Sequence, residues 1–204
     1  MTIARGEPII LARRVSGRNL IKRVKQVASI TGLILFGGVA LVASTMRYDK
    51  SGEGWGRGDA IWACDSKRGN CTDFHSVLIG MMRSSQIPAR FEIGFPLPQD
   101  KNEGEISGYH CWAEFYLDGL GWVPVDASEA SKNPAKREYF FGAVDADRVM
   151  FTYGRDLKIS PDQKGEPLNF FIYPYAESNG QPVKGIKTKF SFRDATAAAR
   201  GGGN

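Results

Sequence analysis

The sequence predicts an α+β domain in which an amphipathic helix packs on an antiparallel sheet. Apolar residues recur at helical spacing after Asn70, and runs rich in aromatic residues alternate further along the chain. Two of those runs flank a turn that contains glycines, which is the pattern of a β-hairpin. A helix followed by strands, without regular strand–helix alternation, is typical of the α+β class.

Composition is that of a globular protein whose positive charge is concentrated at its N-terminus. The chain has 204 residues, of which 42% are hydrophobic and 24% charged, enough for one domain with tails. The net charge is +5, and seven Arg and Lys residues precede residue 27. The remainder is therefore near neutral, which argues against a nucleic-acid partner for the folded domain.

The N-terminal part divides into a basic arm, residues 1–26, and an uncharged apolar segment, residues 27–46. The segment is about long enough to cross a bilayer, and the basic arm would keep the N-terminus in the cytoplasm. It is a membrane anchor, a signal whose small residues Ala43 and Ser44 suit cleavage, or a core helix. An anchor or signal predicts an inner-membrane-anchored or exported domain outside the cytoplasm, whereas a core helix permits a cytoplasmic protein.

Residues 47–193 form the predicted globular domain, and residues 194–204 form a flexible tail. Glycine-rich residues 49–60 and polar residues 99–108 are predicted loops that could contact a substrate. The helix starts at Asn70 and ends before Ile87, because a residue that precedes proline avoids the helical region. Alternation and turn residues predict the following strands in chain order: 89–95, 109–117, 122–126, 148–153 and 168–175.

Cys71 opens the predicted helix and is the candidate nucleophile. Unpaired amides and the helix dipole favour an anion at that position, and the thiolate is the reactive form of cysteine. The apolar residues of its helical face predict that Cys71 points into the domain. The alternative is a small packing residue, the more common role of an isolated cysteine. Three cysteines do not make a disulfide framework, so we expect at least one free thiol.

His110 and Asp126 lie on the two strands of the predicted hairpin. His110, Trp112 and Tyr116 share one face of the first strand, and the opposite face is apolar core. A hairpin loop of odd length would set Asp126 opposite Trp112 and diagonally next to His110, where it could orient the imidazole. A loop of even length would separate them. Asp126 could instead cap the hairpin end.

Other arrangements of the same residues stay open at this level. His75, one turn beyond Cys71, is a rival base, although no carboxylate on a strand is expected behind its ring. Cys111 lies on the core face, which argues against a disulfide with Cys71. A zinc site made of Cys71, His75, His110 and Cys111 is the least favoured alternative, because no cysteine pair has zinc-ribbon spacing.

These motifs resemble the transglutaminase-like superfamily over roughly residues 45–180. GNCTDFHSVLIGMMRSSQIPAR is similar to the family's cysteine motif, and GYHCWAEFYLDGLGWVPVD is similar to its histidine and aspartate motifs. The resemblance implies a papain-like core, a cysteine-bearing helix on an antiparallel sheet. It also implies Cys71 as nucleophile, His110 as base and Asp126 as orienting carboxylate.

The implied activity is acyl transfer at a glutamine or peptide amide through a thioester, with a protein or peptide as substrate and no cofactor or metal. The residues do not separate hydrolysis from transamidation. Trp112, Trp122 and Tyr116 are candidate walls of a substrate channel, although packing explains them equally well. Trp55 and Trp62 match no oxyanion-binding tryptophan of the family, so the amide of Cys71 is the expected donor. The alternative function is a catalytically inactive, membrane-tethered module with the same fold.

Overall fold

The computed structural model of the protein describes residues 2–5 and 30–194. The helices are α1 (Ile30–Thr45), α2 (Ala60–Ser66), α3 (Cys71–Ser84) and α4 (Ala127–Lys132), with a 3-10 turn at Pro134–Lys136. The strands are β1 (Thr2–Arg5), β2 (Arg47–Tyr48), β3 (Arg68–Gly69), β4 (Ala89–Pro96), β5 (Glu103–Ile106), β6 (His110–Leu117), β7 (Gly121–Val125), β8 (Arg148–Tyr153), β9 (Glu177–Ser178), β10 (Gln181–Pro182) and β11 (Phe190–Asp194).

The described residues divide into two compact units. The helical unit comprises residues 30–92 and 111–145, and the β unit comprises residues 2–5, 93–110 and 146–194. Strand β4 contributes its first residues to the helical unit and its last ones to the β unit. The mixture of helices with antiparallel pairing of β6, β7 and β4 confirms the predicted α+β class.

Helix α3 is the centre of the helical unit and contacts α1, α2 and α4. It begins with a capping box, in which the Asn70 side chain accepts from the amides of Thr72 and Asp73 while Asp73 accepts from the amide of Asn70. The predicted helix is therefore confirmed to within a residue at each end. Its predicted inward face is also confirmed, since the following side chains are all buried: Cys71, Phe74, His75, Leu78 and Met82.

The hairpin of β6 and β7 has the odd register that the sequence left conditional. Leu117 pairs with Gly121, so the loop between them has three residues, 118–120. Gly119 and Gly121 adopt φ values of 75° and 83°, the left-handed region that favours glycine. Ala113 pairs with Val125, and continuing the register by one pair sets Asp126 opposite Trp112.

The β unit contains strands in three segments where the sequence predicts a basic arm, a loop and a tail. Strand β11 pairs in parallel with β1 and antiparallel with β5. The predicted loop at 99–108 thus contains a strand, and the predicted tail begins too early, because Asp194 still belongs to β11. Of the basic arm, residues 2–5 form β1, and residues 6–26 lie outside the described residues, as do residues 195–204 of the tail.

The predicted strand at 168–175 is wrong. Only Leu168 makes a bridge, to Leu157, and the rest of the segment has no strand pairing. Its aromatic rings are used for packing instead: Phe171 lies 6.0 Å from Phe151, and Tyr173 lies 6.0 Å from Phe190, between ring centroids. The aromatic residues of this segment therefore pack against neighbouring rings and do not belong to a ladder of backbone hydrogen bonds.

Helix α1 accounts for most of the apolar segment at 27–46. It packs against α3 and α4, and Val39, Val42 and Ala43 are buried. Ser131 on α4 donates a hydrogen bond to the carbonyl of Met46, just beyond the helix. This packing is that of the core-helix alternative. Within residues 2–5 and 30–194, the helices fall short of the length and hydropathy needed to cross a bilayer, and residues 27–29 lie outside the described part.

Candidate active site

Cys71 is the first residue of α3 and is 98% buried, with 2% of its surface exposed. The Asn70 cap takes the amides of the next two residues, so the helix start is rigidly formed around the thiol. The N-terminal end of the helix presents backbone N–H groups and the positive pole of the helix dipole to this position. The geometry suits a sulfur that carries negative charge.

A buried carboxylate holds the glycine-rich loop against this helix start. Asp73 accepts hydrogen bonds from the amides of Gly56, at 2.6 Å, and Gly58, at 3.0 Å, in addition to that of Asn70. The predicted loop at 49–60 is therefore fixed to the first turn of α3. Sequence reasoning did not assign this role to Asp73, although the Asn-x-x-Asp spacing is the signal of a capping box.

Cys111 lies beside Cys71 in the helical unit. Burial, a hydrogen bond with the Cys71 side chain and the charge of that side chain together raise the pKa of the Cys111 thiol well above its ordinary value. Thr72 Oγ1 lies 3.7 Å from Cys111 Sγ. Both thiols are free, and they lie close together because Cys71 points into the core that also holds Cys111. Cys111 stays protonated near neutral pH, which favours Cys71 as the nucleophile.

Asp126 directly follows β7 and caps α4. Its Oδ1 accepts from the amide of Glu129 at 2.9 Å and from the hydroxyl of Ser128 at 2.8 Å. Asp126 is therefore a capping residue, but it caps a helix that the sequence did not predict rather than the hairpin end. Capping leaves the orienting role open, because Oδ1 accepts both of these hydrogen bonds and the carboxylate has a second oxygen, Oδ2.

His75 lies between Cys71 and Asp126. Its Nδ1 lies 2.7 Å from the carbonyl oxygen of Cys71, and its Nε2 accepts from the amide of Ala127 at 3.1 Å. Asp126 Oδ1 is 3.5 Å from Nε2. The expectation that no strand carboxylate stands behind the His75 ring is wrong, because the end of β7 reaches the second turn of α3. Both ring nitrogens of His75 thus have a backbone partner, with the side chains of Asp126 and Cys111 close by.

His110 is the first residue of β6 and is buried. It belongs to the β unit and directly precedes Cys111, which belongs to the helical unit beside Cys71. Cys71, His75 and Asp126 lie together in the helical unit through direct contacts.

A carboxyl pair lies next to Trp112, on the sheet face that carries it. The buried indole of Trp112 donates to Glu92 on β4, and Arg90 donates to Glu114 at 2.6 Å. Burial and the neighbouring charge of Glu114 raise the pKa of Glu92 to about 8. Glu92 therefore holds its proton at neutral pH. The sequence signal for this site was a glutamate inside a strand of otherwise buried residues, and it was missed.

The three candidate channel residues are not alike. Trp112 is buried, whereas Tyr116 and Trp122 keep 39% and 37% of their surface exposed. The two exposed rings meet edge to face with centroids 5.6 Å apart, and the Arg90 guanidinium lies 4.2 Å from the Trp122 ring centroid. Of the three, only Tyr116 and Trp122 therefore offer substantial surface to a ligand.

Two further expectations from the sequence concern the tryptophans Trp55 and Trp62 and the binding of a metal. The indole of Trp55 donates to the carbonyl of Gly52, and the ring of Trp62 packs on Gly54, so both tryptophans have structural roles in the glycine-rich loop. Within the part of the chain that the structure describes, the His, Cys, Asp and Glu side chains form no group of three that could hold a metal ion.

Comparison with known proteins assigns a segment of the chain to a family. The model of the transglutaminase-like superfamily matches residues 39–127, from the middle of α1 to the residue after Asp126. This part of the chain belongs to the transglutaminase-like superfamily. The match contains Cys71, His110 and Asp126 in one segment, and it includes the buried end of α1 within the transglutaminase-like domain.

An uncharacterised protein of Haemophilus influenzae is 34% identical to this chain over 176 residues, covering 71% of this chain and 48% of that protein. The chain therefore spans about half the length of this relative. A candidate cysteine protease from Cytophaga hutchinsonii aligns in structure with a TM-score of 0.45 and 17% identity, over 68% of this chain and 42% of that one. The periplasmic domain of TgpA from Pseudomonas aeruginosa aligns with a TM-score of 0.39 and 19% identity, over 60% and 44% of the two chains.

Proposed function

We propose that the protein is a cysteine-dependent acyl-transfer enzyme acting on carboxamide or peptide bonds, with Cys71 as nucleophile, His110 as base and Asp126 as orienting carboxylate. The observation that carries the proposal is the arrangement of Cys71 and Asp126 inside a transglutaminase-like segment. Cys71 is a buried thiol at a capped helix start, and the imidazole of His75 lies between it and the carboxylate of Asp126. A degenerate copy of the fold would be expected to lose one of these residues.

The position of His110 in the proposal rests on the hairpin register. Successive residues of a strand alternate in direction, so His110 and Trp112 share a face. Because the register sets Asp126 opposite Trp112, His110 is its diagonal neighbour on that face. The Asp126 oxygen that caps α4 is Oδ1, and we assign the other oxygen to the imidazole of His110.

The proposed reaction has two steps. His110 takes the proton of the Cys71 thiol, the sulfur attacks the carbonyl carbon, and the amide nitrogen leaves with the proton returned by His110. The product is a thioester on Cys71, with ammonia or an amine released. Water or a second amine, deprotonated by His110, then attacks the thioester carbonyl. The C–S bond breaks, a carboxylic acid or a new amide is released, and His110 returns the proton to the sulfur of Cys71. The amide of Cys71 is the proposed donor to the oxyanion.

The substrate and location belong to the same proposal. A protein or peptide chain could contact the exposed rings of Tyr116 and Trp122 and the glycine-rich loop that Asp73 holds at the helix start. Export, or membrane association through residues 27–46, is proposed from the basic arm and the apolar run. Fractionation of cells that produce the full chain tests it: release of the protein into the cytosolic fraction would contradict it.

Thiol reactivity tests the nucleophile. Exposure alone predicts that Cys64, which is exposed, reacts with iodoacetamide before the buried Cys71. We expect the reverse near neutral pH, because an activated thiolate is the reacting species. Lys67 and Arg68 lie between the two cysteines, so tryptic peptides report each rate separately by mass spectrometry. Faster labelling of Cys64 and an unchanged rate at Cys71 in His110→Ala would contradict the proposal.

The products distinguish the reactions. The protein is incubated with a glutamine-containing peptide and a labelled primary amine, while ammonia release, amine incorporation and backbone cleavage are followed together. Ammonia alone indicates deamidation, ammonia with incorporation indicates transamidation, and new peptide termini indicate proteolysis. Cys71→Ala is the control and should abolish whichever signal is seen. A signal that persists in this variant would show that Cys71 is not the nucleophile, whereas no signal with any peptide tried favours the inactive-module alternative.

A further inference from the structure

We propose that His75 is a positioning residue, whose imidazole ties the helix start that carries Cys71 to the Asp126–Ala127 segment that carries the orienting carboxylate. The inference rests on the proposed function. It concerns a residue outside the proposed triad and makes a different claim: the separation of nucleophile and carboxylate is set by a second histidine that does not itself move protons.

The ring is fully enclosed and bonded at both ends. His75 has no exposed surface. A buried polar ring is stable only if its nitrogens find partners, and here Nδ1 meets the carbonyl of Cys71 at 2.7 Å while Nε2 meets the amide of Ala127 at 3.1 Å. The two partners lie on different elements, the first turn of α3 and the first turn of α4.

These partners determine the protonation of the ring. A carbonyl oxygen only accepts, so Nδ1 must carry the hydrogen of the first contact. A backbone amide only donates, so Nε2 must be the unprotonated nitrogen of the second. His75 is therefore neutral, with its hydrogen on Nδ1. Taking up a proton at Nε2 would break the bond to Ala127, so the ring is not built to act as the base.

The same nitrogen lies beside the carboxylate. Asp126 Oδ1 is 3.5 Å from Nε2 and is held on its other side by the hydroxyl of Ser128 and the amide of Glu129. Asp126 and the Cys111 thiol, 3.9 Å from Nδ1, face the ring from neighbouring elements, and the carbonyl of Cys71 faces it from its own helix. The ring acts as a spacer that limits how closely Asp126 and the start of α3 approach each other.

Two substitutions separate the hydrogen bond to Cys71 from the hydrogen bond to Ala127. In His75→Asn the side-chain amide can still donate near the Nδ1 position but is too short to reach Ala127. In His75→Gln the amide oxygen can reach toward the Nε2 position and accept from Ala127. The assay is the rate of Cys71 alkylation by iodoacetamide, measured by mass spectrometry, with urea unfolding to establish that each variant is folded under the assay conditions.

We expect His75→Asn to slow Cys71 alkylation about tenfold, the size expected for one lost buried hydrogen bond, and His75→Gln to stay within about threefold of the wild type. We also expect no further slowing when His75→Asn is added to Asp126→Asn, because a positioning residue acts through its partner. A merely structural histidine would lower the urea midpoint without this dependence on Asp126.

The outcomes separate the two proposals. If Asp126→Asn slows Cys71 but His75→Asn does not, or slows it equally with and without Asp126, the positioning role of His75 is overturned and the proposed function stands. If neither Asp126→Asn nor His110→Ala slows Cys71, the proposed function is overturned and His75 has nothing to position. The ¹⁵N shifts of the His75 ring check the tautomer independently: a hydrogen on Nε2 instead of Nδ1 contradicts the inference.

Discussion

At the scale of single residues, Asp126 has two tasks that substitution can separate. It caps α4 through Oδ1 and, in the proposed function, orients His110. Asparagine caps a helix about as well as aspartate, whereas alanine does not. The choice of replacement therefore decides which task is removed.

We predict that Asp126→Asn keeps the stability of the fold but lowers the rate of amide turnover by roughly 10²-fold or more, because the base loses its oriented partner. Asp126→Ala should lose the activity and also about 1 kcal/mol of stability, with the cap. Urea unfolding and steady-state kinetics measure the two effects. Full activity in a folded Asp126→Asn protein would show that the carboxylate is needed for capping only.

Glu92 is the second residue whose environment has a measurable consequence. Its pKa is raised by burial and by Glu114 to about 8, above its ordinary value of 4.5. Between pH 4.5 and about pH 8, Glu92 therefore keeps its proton in the folded state and has released it in the unfolded state. Stability from this group is fully present below about pH 4.5 and is lost as pH rises toward 8.

We predict that Glu92→Gln flattens this dependence. Glutamine can accept from Trp112 and donate to Glu114 as the protonated acid does, without ever ionising. Between pH 5 and 8 the variant should gain stability relative to the wild type, by at most about 1.4 kcal/mol per pH unit. Urea unfolding at several pH values measures it, with Glu129→Gln, at a less buried carboxylate, as control. A constant difference between variant and wild type would contradict the prediction.

At the scale of elements, the hairpin loop determines which side chains share a face. A loop of three residues keeps the odd register, and Gly119 holds a φ of 75° within it. Nothing lies within 4 Å of a methyl group added there, so the cost of a side chain would come from the backbone alone.

We predict that Gly119→Ala lowers the free energy of unfolding by about 1–2 kcal/mol, the cost of the left-handed region for a residue with a Cβ. Gly37→Ala is the matched control: it is an exposed helical glycine with equally open surroundings. It should instead stabilise by about 0.5–1 kcal/mol. Thermal or urea unfolding measures both changes, and equal effects of the same sign would show that the loop does not require its glycine.

At the scale of the whole molecule, the apolar segment has two different surfaces. Val42 is 1% exposed where α1 meets its neighbouring helices, whereas Leu41 is 52% exposed. A core helix depends on the first surface and tolerates change on the second. A membrane-embedded helix would be sensitive on both, because charge is costly anywhere in the bilayer centre.

We predict that Val42→Asp destabilises the protein by about 3 kcal/mol or more, since it buries an unpaired charge. Leu41→Asp should change stability by less than about 0.5 kcal/mol, as exposed substitutions usually do. Urea unfolding of the full chain gives both values. If Leu41→Asp changed the membrane fraction of the protein in cells, the exposed surface of α1 would be a lipid contact.

Much of the fold was predictable because its signals are short-range in sequence. Helical spacing and the Asn70 cap place α3, and glycines at the turn place the hairpin of β6 and β7. The family motifs occupy the same segment, so the transglutaminase-like assignment and the candidates Cys71, His110 and Asp126 were available from the sequence.

Tertiary structure alone decided how the polar groups of the site are paired. The hydrogen bond between His75 and Ala127 joins residues 52 positions apart, and that between Trp112 and Glu92 joins residues 20 apart. Periodicity says which face a side chain lies on, but the partner of a buried polar atom depends on which elements meet there. For the same reason, only packing showed that α1 lies against α3 and that the aromatic run at 168–175 forms no strand.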